Sequence, residues 1–195
     1  MKILAFETTD AVASVALYLD GEVFETVIDT DRRHAESVLP AAEEMLSAHD
    51  LSTADMDAFA ADVGPGSFTG VRIGVCMANA LGAAHDKPVV SVNALEALAF
   101  PHRGQIVCAL IDARNGNGYG AAYRNGEVLI EPCACVISDF FAELPTDCIM
   151  VGTATNDPKL PSAASVARIA AERRGEKEIA PLYLKLSQAE RMWNK

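Results

Sequence analysis

The chain begins the same way twice. Lys2-Ile-Leu-Ala-Phe-Glu-Thr-Thr-Asp10 lies without a gap within the segment from Gln105 to Asn115, so that Glu7 meets Asp112 (112 − 7 = 105). At that offset Ala16 meets Ala121, Tyr18 meets Tyr123, and Asp20-Gly21-Glu22-Val23 meets Asn125-Gly126-Glu127-Val128. Each copy is an apolar strand ended by an acid, followed by two strands joined through an Asx-Gly pair. Asx-Gly between alternating apolar runs is the strongest short-range signal of a two-residue hairpin. A unit repeated at one offset points to a duplicated lobe.

The first copy reads as strands Ile3 to Phe6, Ala13 to Leu19 and Glu22 to Ile28. Helix-like Ala35 to His49, strand-like Asp57 to Val63, helix-like Gly70 to Ala84, strand-like Val89 to Val92 and helix-like Ala94 to Ala99 follow. Three antiparallel strands and then alternating helix and strand is the order of a ribonuclease H-like lobe. The second copy has strands Gln105 to Ala109, Gly118 to Tyr123, Glu127 to Cys133 and Cys148 to Val151. It closes on a helix, Ser162 to Arg174, that ends at Gly175. The polar turn Pro101-His102-Arg103-Gly104 divides the chain into a lobe over 1–101 and a smaller, reduced lobe over 102–195. The expected fold is α/β: two ribonuclease H-like lobes facing each other, the actin-like, sugar-kinase-like architecture.

Half of the 195 residues are apolar, enough for a sizeable core. No stretch approaches the roughly 18 uninterrupted apolar residues that a membrane helix needs. Glu7 and Asp10 interrupt the apolar start, which a secretory leader does not tolerate, so the expected location is the cytoplasm. Five cysteines, an odd number, point to reduced thiols and not to a disulfide framework. The net charge of −11 argues against direct binding of an RNA backbone, which clustered Lys and Arg normally neutralise.

One string holds most of the chemical information: Gly64-Pro-Gly-Ser-Phe-Thr-Gly-Val-Arg-Ile-Gly74. It follows a strand and opens a helix, where backbone N–H groups and the helix dipole can hold an anion and Ser67 and Thr69 can add hydroxyl donors. It lacks the Lys of a Walker loop, and Gly64, Gly66 and Gly70 miss dinucleotide spacing by one residue. Two readings stay open: a phosphate-holding loop, with Glu7, Thr8 and Asp112 as companions, or a tight strand-to-helix turn that needs Gly for its backbone. Asp112 stands where a second phosphate loop begins, yet Ala113-Arg114-Asn115-Gly116 has no Gly-Gly or Gly-Thr turn. Val151-Gly152-Thr153-Ala154-Thr155-Asn156 is similar to the adenosine motif of the fold, with one Gly where two are expected. Any nucleotide site is therefore vestigial or weak, and no cofactor is expected.

That string, with Glu7-Thr8-Thr9, with Val92-Asn93-Ala94-Leu95-Glu96-Ala97-Leu98, with Asp112-Ala113-Arg114 and with Pro181-Leu-Tyr-Leu184, resembles the TsaB family, formerly YeaZ. The resemblance covers nearly the whole chain and is strongest from Met1 to Leu98. It departs from the family at Asn117-Gly118-Tyr119, where an acidic-apolar-Tyr run is usual, and in a short second lobe. TsaB is a paralogue of TsaD, the enzyme that places threonylcarbamoyl on a tRNA adenosine. The resemblance implies a non-catalytic partner that docks TsaD, lets the ATPase TsaE engage, pairs with itself when alone and meets tRNA only through the complex. The catalytic paralogue carries a His-x-x-x-His metal site after its Val-Asn; here Ala94 and Leu98 stand in those positions and cannot ligate. No catalytic residue and no metal ligand is expected, and His34 reads as a surface or capping residue.

Two rivals belong to other classes. An active ATPase or sugar kinase of the same fold would show itself by tight nucleotide binding. A peptidase, a label long attached to the family, would need a metal motif, a nucleophile elbow or a Cys–His pair.

What remains for function is surface. Gly74, Ala78 and Gly82 recur at helical spacing, and small residues so placed let a second helix approach closely. Ile73, Met77 and Leu81 run beside them, and the helix is nearly uncharged. The expected partner surface joins Val38, Leu39, Ala42 and Met45 of the preceding helix to Gly74, Met77, Ala78, Leu81 and Gly82. The competing reading buries this helix between the sheet and the helix over 35–49.

Overall fold

Both Asx-Gly pairs turn hairpins. In the computed structural model, which describes residues 1–29, 34–142, 144, 145 and 147–184, Asp20 and Gly21 have φ of 50° and 106°. Asn125 and Gly126 have φ of 52° and 84°. Two successive positive φ values make the type I′ turn, whose twist suits antiparallel strands and which Asn, Asp and Gly tolerate. The first pair joins β2 (Ala13–Leu19) to β3 (Glu22–Ile28), behind β1 (Lys2–Glu7). Then come α1 (His34–Ser47), β4 (Ala58–Asp62), α2 (Phe68–His85) and β5 (Val89–Val92). The sheet has the order β3-β2-β1-β4-β5, antiparallel on one side of β1 and parallel on the other.

Helix α3 (Ala94–Ala99) leads to β6 (Ile106–Asp112), β7 (Asn117–Arg124), β8 (Glu127–Val136), α4 (Ile137–Ala142) and β9 (Ile149–Val151). The last helix is α5 (Ala163–Ala171). The second sheet, β8-β7-β6-β9, repeats the first with no counterpart of β5 among the described residues. The order and direction of strands are those of two ribonuclease H-like lobes, the second reduced, in the actin-like arrangement. Among the described residues no helix is long and apolar enough to cross a membrane.

The repeat is not in perfect register. Tyr18 pairs with Ile3, whereas Tyr123 pairs with Val107, one residue short of Cys108, which the offset places there. The β6–β7 connection is tighter, and a one-residue slip turns a strand's side chains to the opposite face. Asp112 therefore falls on the α4 side of its sheet and is exposed, while Glu7 is buried on the side covered by α5.

The final helix also departs from expectation. The sequence assigns it to the second lobe, but Ala163, Val166, Ala167, Ile169 and Ala170 pack on Ile3, Ala5, Ala16, Ala58 and Ala60 of the first sheet. The chain beyond stays with that lobe: Glu176 bridges Val89 in both directions, and Leu182 N–H donates to Val63 O. Small Ala side chains on both surfaces permit this close contact.

The small-residue stripe of α2 faces the sheet, not a partner. Ala78 is fully buried in the core with Phe6, Ala61 and Val75. A Cβ on Gly74 would lie 2.7 Å from Thr8 Oγ1, and one on Gly82 2.4 Å from Val89 Cγ2. Val38, Ala42 and Met45 of α1 belong to the same core, so six residues of the expected partner surface are interior. Leu39 is 38% exposed, and Met77 and Leu81 are half-buried. The outward face of α2 consists instead of Arg72, Cys76, Ala80, Ala83 and Ala84, flanked by Ile73 and Met77. Replacing Ala78→Leu should overpack this core and lower stability by about 1–3 kcal/mol. Thermal unfolding followed by circular dichroism measures it; an unchanged midpoint would place the stripe outside the core.

Candidate functional site

The cleft between the lobes is about 580 Å³. From the first lobe it is lined by Thr9, Asp10, Ala11, His34, Gly66, Ser67, Thr69, Gly70 and Ile73. From the second come Ile111, Asp112, Ala113, Arg114 and Tyr119. The cleft thus brings Gly66, Ser67, Thr69 and Gly70 of the Gly-rich string to one place with Asp112. Gly64, Glu7 and Thr8 lie behind the wall.

The loop's glycines answer to strand β1. A Cβ on Gly70 would lie 2.0 Å from Thr8 O, and one on Gly66 2.6 Å from Thr9 O. Ser67 N–H donates to Thr9 O at 2.6 Å, the Thr8 hydroxyl donates to Gly70 O at 2.6 Å, and Gly74 N–H donates back to Thr8 Oγ1 at 3.1 Å. Gly64 has a φ of 96°, which L side chains rarely adopt. Close approach of backbone to backbone therefore accounts for these glycines without any ligand, which favours the turn reading over the phosphate loop. Ser67 caps α2, accepting Gly70 N–H at 3.3 Å. On the other wall, Asp112 Oδ1 accepts Arg114 N–H at 2.8 Å, and Asp112 N–H donates to Thr153 Oγ1 at 2.8 Å. Arg114, Asn115 and Gly116 turn through positive φ values of 69°, 55° and 74°.

Behind the wall sits a group that sequence reasoning missed. Asp62 closes β4 as Glu7 closes β1, and both are buried. Asp62 Oδ1 accepts Gly64 N–H at 2.7 Å; Glu7 Oε1 accepts the N–H and the hydroxyl of Thr9, each at 2.6 Å. Burial first, and then the neighbouring Glu7 carboxyl, push Asp62 well above the ordinary carboxylate range. The signal was present: an acid at the end of the otherwise apolar run Ala58-Phe-Ala-Ala-Asp62. His34 also departs from its surface reading. It is 4% exposed, and its Nε2 lies 2.8 Å from Asp10 O, which tethers the start of α1 to the β1–β2 loop.

Ala94 and Leu98 point away from the cleft. They are 0% and 4% exposed and pack on Val107, Ala109 and Ala121 of the second sheet. Helix α3 thus joins the lobes through its apolar face.

The family model described as TsaD, tRNA N6-adenosine threonylcarbamoyltransferase, matches residues 28–145. The tRNA threonylcarbamoyladenosine biosynthesis protein TsaB of Escherichia coli is 38% identical over 131 residues, covering 65% of this chain and 57% of that protein. The TsaB of Bacillus subtilis is 33% identical over 134 residues, covering 67% of this chain and 58% of that protein. A solved Pseudomonas aeruginosa structure described as similar to peptidase YeaZ superposes with a TM-score of 0.85 at 27% identity, covering 94% of this chain and 99% of that one. The chain belongs to the TsaB (YeaZ) family. It spans less than two thirds of the length of the TsaB proteins that it matches in Escherichia coli and Bacillus subtilis. The Gly-rich string of this TsaB-family chain is thus a packing joint at the mouth of a cleft. Gly70→Ala should force the joint apart, because the obstacle is the Thr8 backbone oxygen and not a flexible side chain. Stability should fall by about 1–3 kcal/mol, read as a lower chemical-denaturation midpoint, and an unaltered midpoint would contradict the joint.

Proposed function

We propose that the chain serves threonylcarbamoyladenosine formation in tRNA as a non-catalytic cytoplasmic subunit that docks TsaD and allows TsaE to engage. The observation that carries this reading is the outward face of α2. Arg72 is the one permanently charged side chain of that helix, and it is tied down at the end of the face. Its guanidinium lies 3.7 Å over the Phe68 ring, and its Nε–H donates to Tyr183 Oη at 2.8 Å. Beyond it Ile73, Cys76, Met77, Ala80 and Ala84 offer an uncharged surface. An outer helix with solvent on its far side ordinarily carries charge there, so this composition fits a protein partner. Self-association through the same face is the expected state of the chain alone.

Ala94 and Leu98 support the non-catalytic role. They fill the positions of the paralogue's metal ligands with apolar groups committed to the core between the lobes. The actin-like ATPase reading keeps one observation in its favour: the N-terminus of α2, Ser67, Thr69 and Arg114 all border one cleft. Titration calorimetry with ATP and magnesium separates the two. A dissociation constant near micromolar, about −8 kcal/mol, would support the ATPase.

The direct test places Ala80→Arg on the outward face. Its folding stability should change by no more than about 0.5 kcal/mol, as for other surface positions. Co-purification with TsaD from the same organism should be lost, and so should tRNA threonylcarbamoylation reconstituted with TsaD, TsaE and threonylcarbamoyl-adenylate. The wild-type chain without TsaD should modify no tRNA. Full activity of Ala80→Arg in the reconstituted system would remove α2 from the proposal.

A further inference from the structure

Two carboxyls stand at the ends of the neighbouring parallel strands β1 and β4, one position beyond the paired residues Phe6 and Ala61. By strand alternation both lie on the side of the sheet where Ala5 and Ala60 meet α5. Glu7 is 1% exposed and Asp62 0%. One oxygen of each holds a loop: Glu7 Oε1 takes both Thr9 donors, and Asp62 Oδ1 takes Gly64 N–H. The other oxygens, Glu7 Oε2 and Asp62 Oδ2, are buried and meet no donor among the described residues. Two ionised carboxylates offer acceptors alone. One proton on the pair supplies the missing donor and removes one of two adjacent buried charges.

We propose that Glu7 and Asp62 share one proton, that this proton latches the end of β1 to the Gly-rich loop, and that its loss loosens the first-lobe wall of the cleft. Thr9 is the link between the two halves, because it is held by Glu7 and itself receives Ser67 N–H. When the proton leaves for solvent, two negative charges remain in one buried place. Among the described residues no cation stands against the pair to balance them. Strand β2 presents Ser14 opposite Glu7, with its hydroxyl accepting Ala163 N–H of α5. Strand β5 presents Val92 opposite Asp62. Helix α5 buries Ala163 and Ser165 and leaves Arg168 exposed. Helix α2 covers the other face, where it meets Thr8. Asp10 and His34 are the next titratable groups along the β1–β2 loop, and His34 is engaged with the Asp10 carbonyl. Of all these, Glu7 is the charged group that acts on Asp62.

The sign follows from linkage. An acid whose folded-state pKa exceeds its unfolded value, about 3.9 for Asp, gives stability that is complete below the unfolded value. That stability is lost as pH rises through the folded value. Burial and Glu7 move Asp62 in this direction. Asp62→Asn keeps an acceptor for Gly64 and brings an uncharged donor for Glu7, so it should hold the latch at every pH. Melting midpoints of the two proteins are compared between about pH 5 and pH 9. The wild-type midpoint should fall by about 4 °C or more beyond any fall of the variant. In ¹H–¹⁵N spectra the Thr9 and Gly64 amides of the wild type should titrate together, with a midpoint above the ordinary carboxylate range. The same midpoint should move down in Glu7→Gln, which removes the neighbouring charge. Parallel melting curves for wild type and Asp62→Asn, or Thr9 and Gly64 amides that do not titrate together, would overturn the latch. Should Asp62→Asn fail to fold, the wild-type amide titration and its shift in Glu7→Gln decide.

Discussion

The first lobe depends on how near its Gly-rich loop comes to the end of strand β1. The glycines of the loop leave room there for the Thr8 and Thr9 carbonyls, and three hydrogen bonds cross the junction, two of them through the Thr8 hydroxyl. Any Cβ at residue 66 or 70 would occupy space already held by a carbonyl oxygen. Because the loop is fixed, α2 starts at a defined point and runs over the sheet with its own small residues inward. Because α2 is that close, its far side stands out as a nearly uncharged surface. This one junction thus sets the cleft wall, the depth of the helix and which of its faces points outward.

Hairpins and strand directions were legible because they rest on local chemistry. Asp20-Gly21 and Asn125-Gly126 announce their turns, and the alternating strands beside them need no distant information. The slip between β6 and β7 was not legible, since it depends on the length of one connection and not on any residue type. Nor was the direction of the Gly74, Ala78 and Gly82 stripe. Small residues at helical spacing permit close approach to anything, and the sequence does not say whether a sheet or a helix approaches. The sheet won because Thr8 and Val89 already fill the space in front of two of the three.

For the candidate site, the Gly-rich string and Asp112 could be found from spacing, and the cleft does unite them. What escaped was burial. Asp62 and His34 read as ordinary polar residues until tertiary packing closes over them, and a lone acid at a strand end is usually solvated. The distinction between a phosphate loop and a packing joint likewise rests on which side of the glycines is occupied, a fact of three dimensions. The position of the Thr8 and Thr9 carbonyls decides it here.

Helix α5 covers the first sheet although the second lobe lies between them in the chain. Consequently the amino-terminal lobe is discontinuous. During synthesis, Ile3, Ala5, Ala16, Ala58, Ala60, Val90 and Val92 wait uncovered until residues 163–170 have left the ribosome. The lobe made first is finished last, and a ribosome that stalls inside the second lobe leaves an apolar sheet face open to other chains.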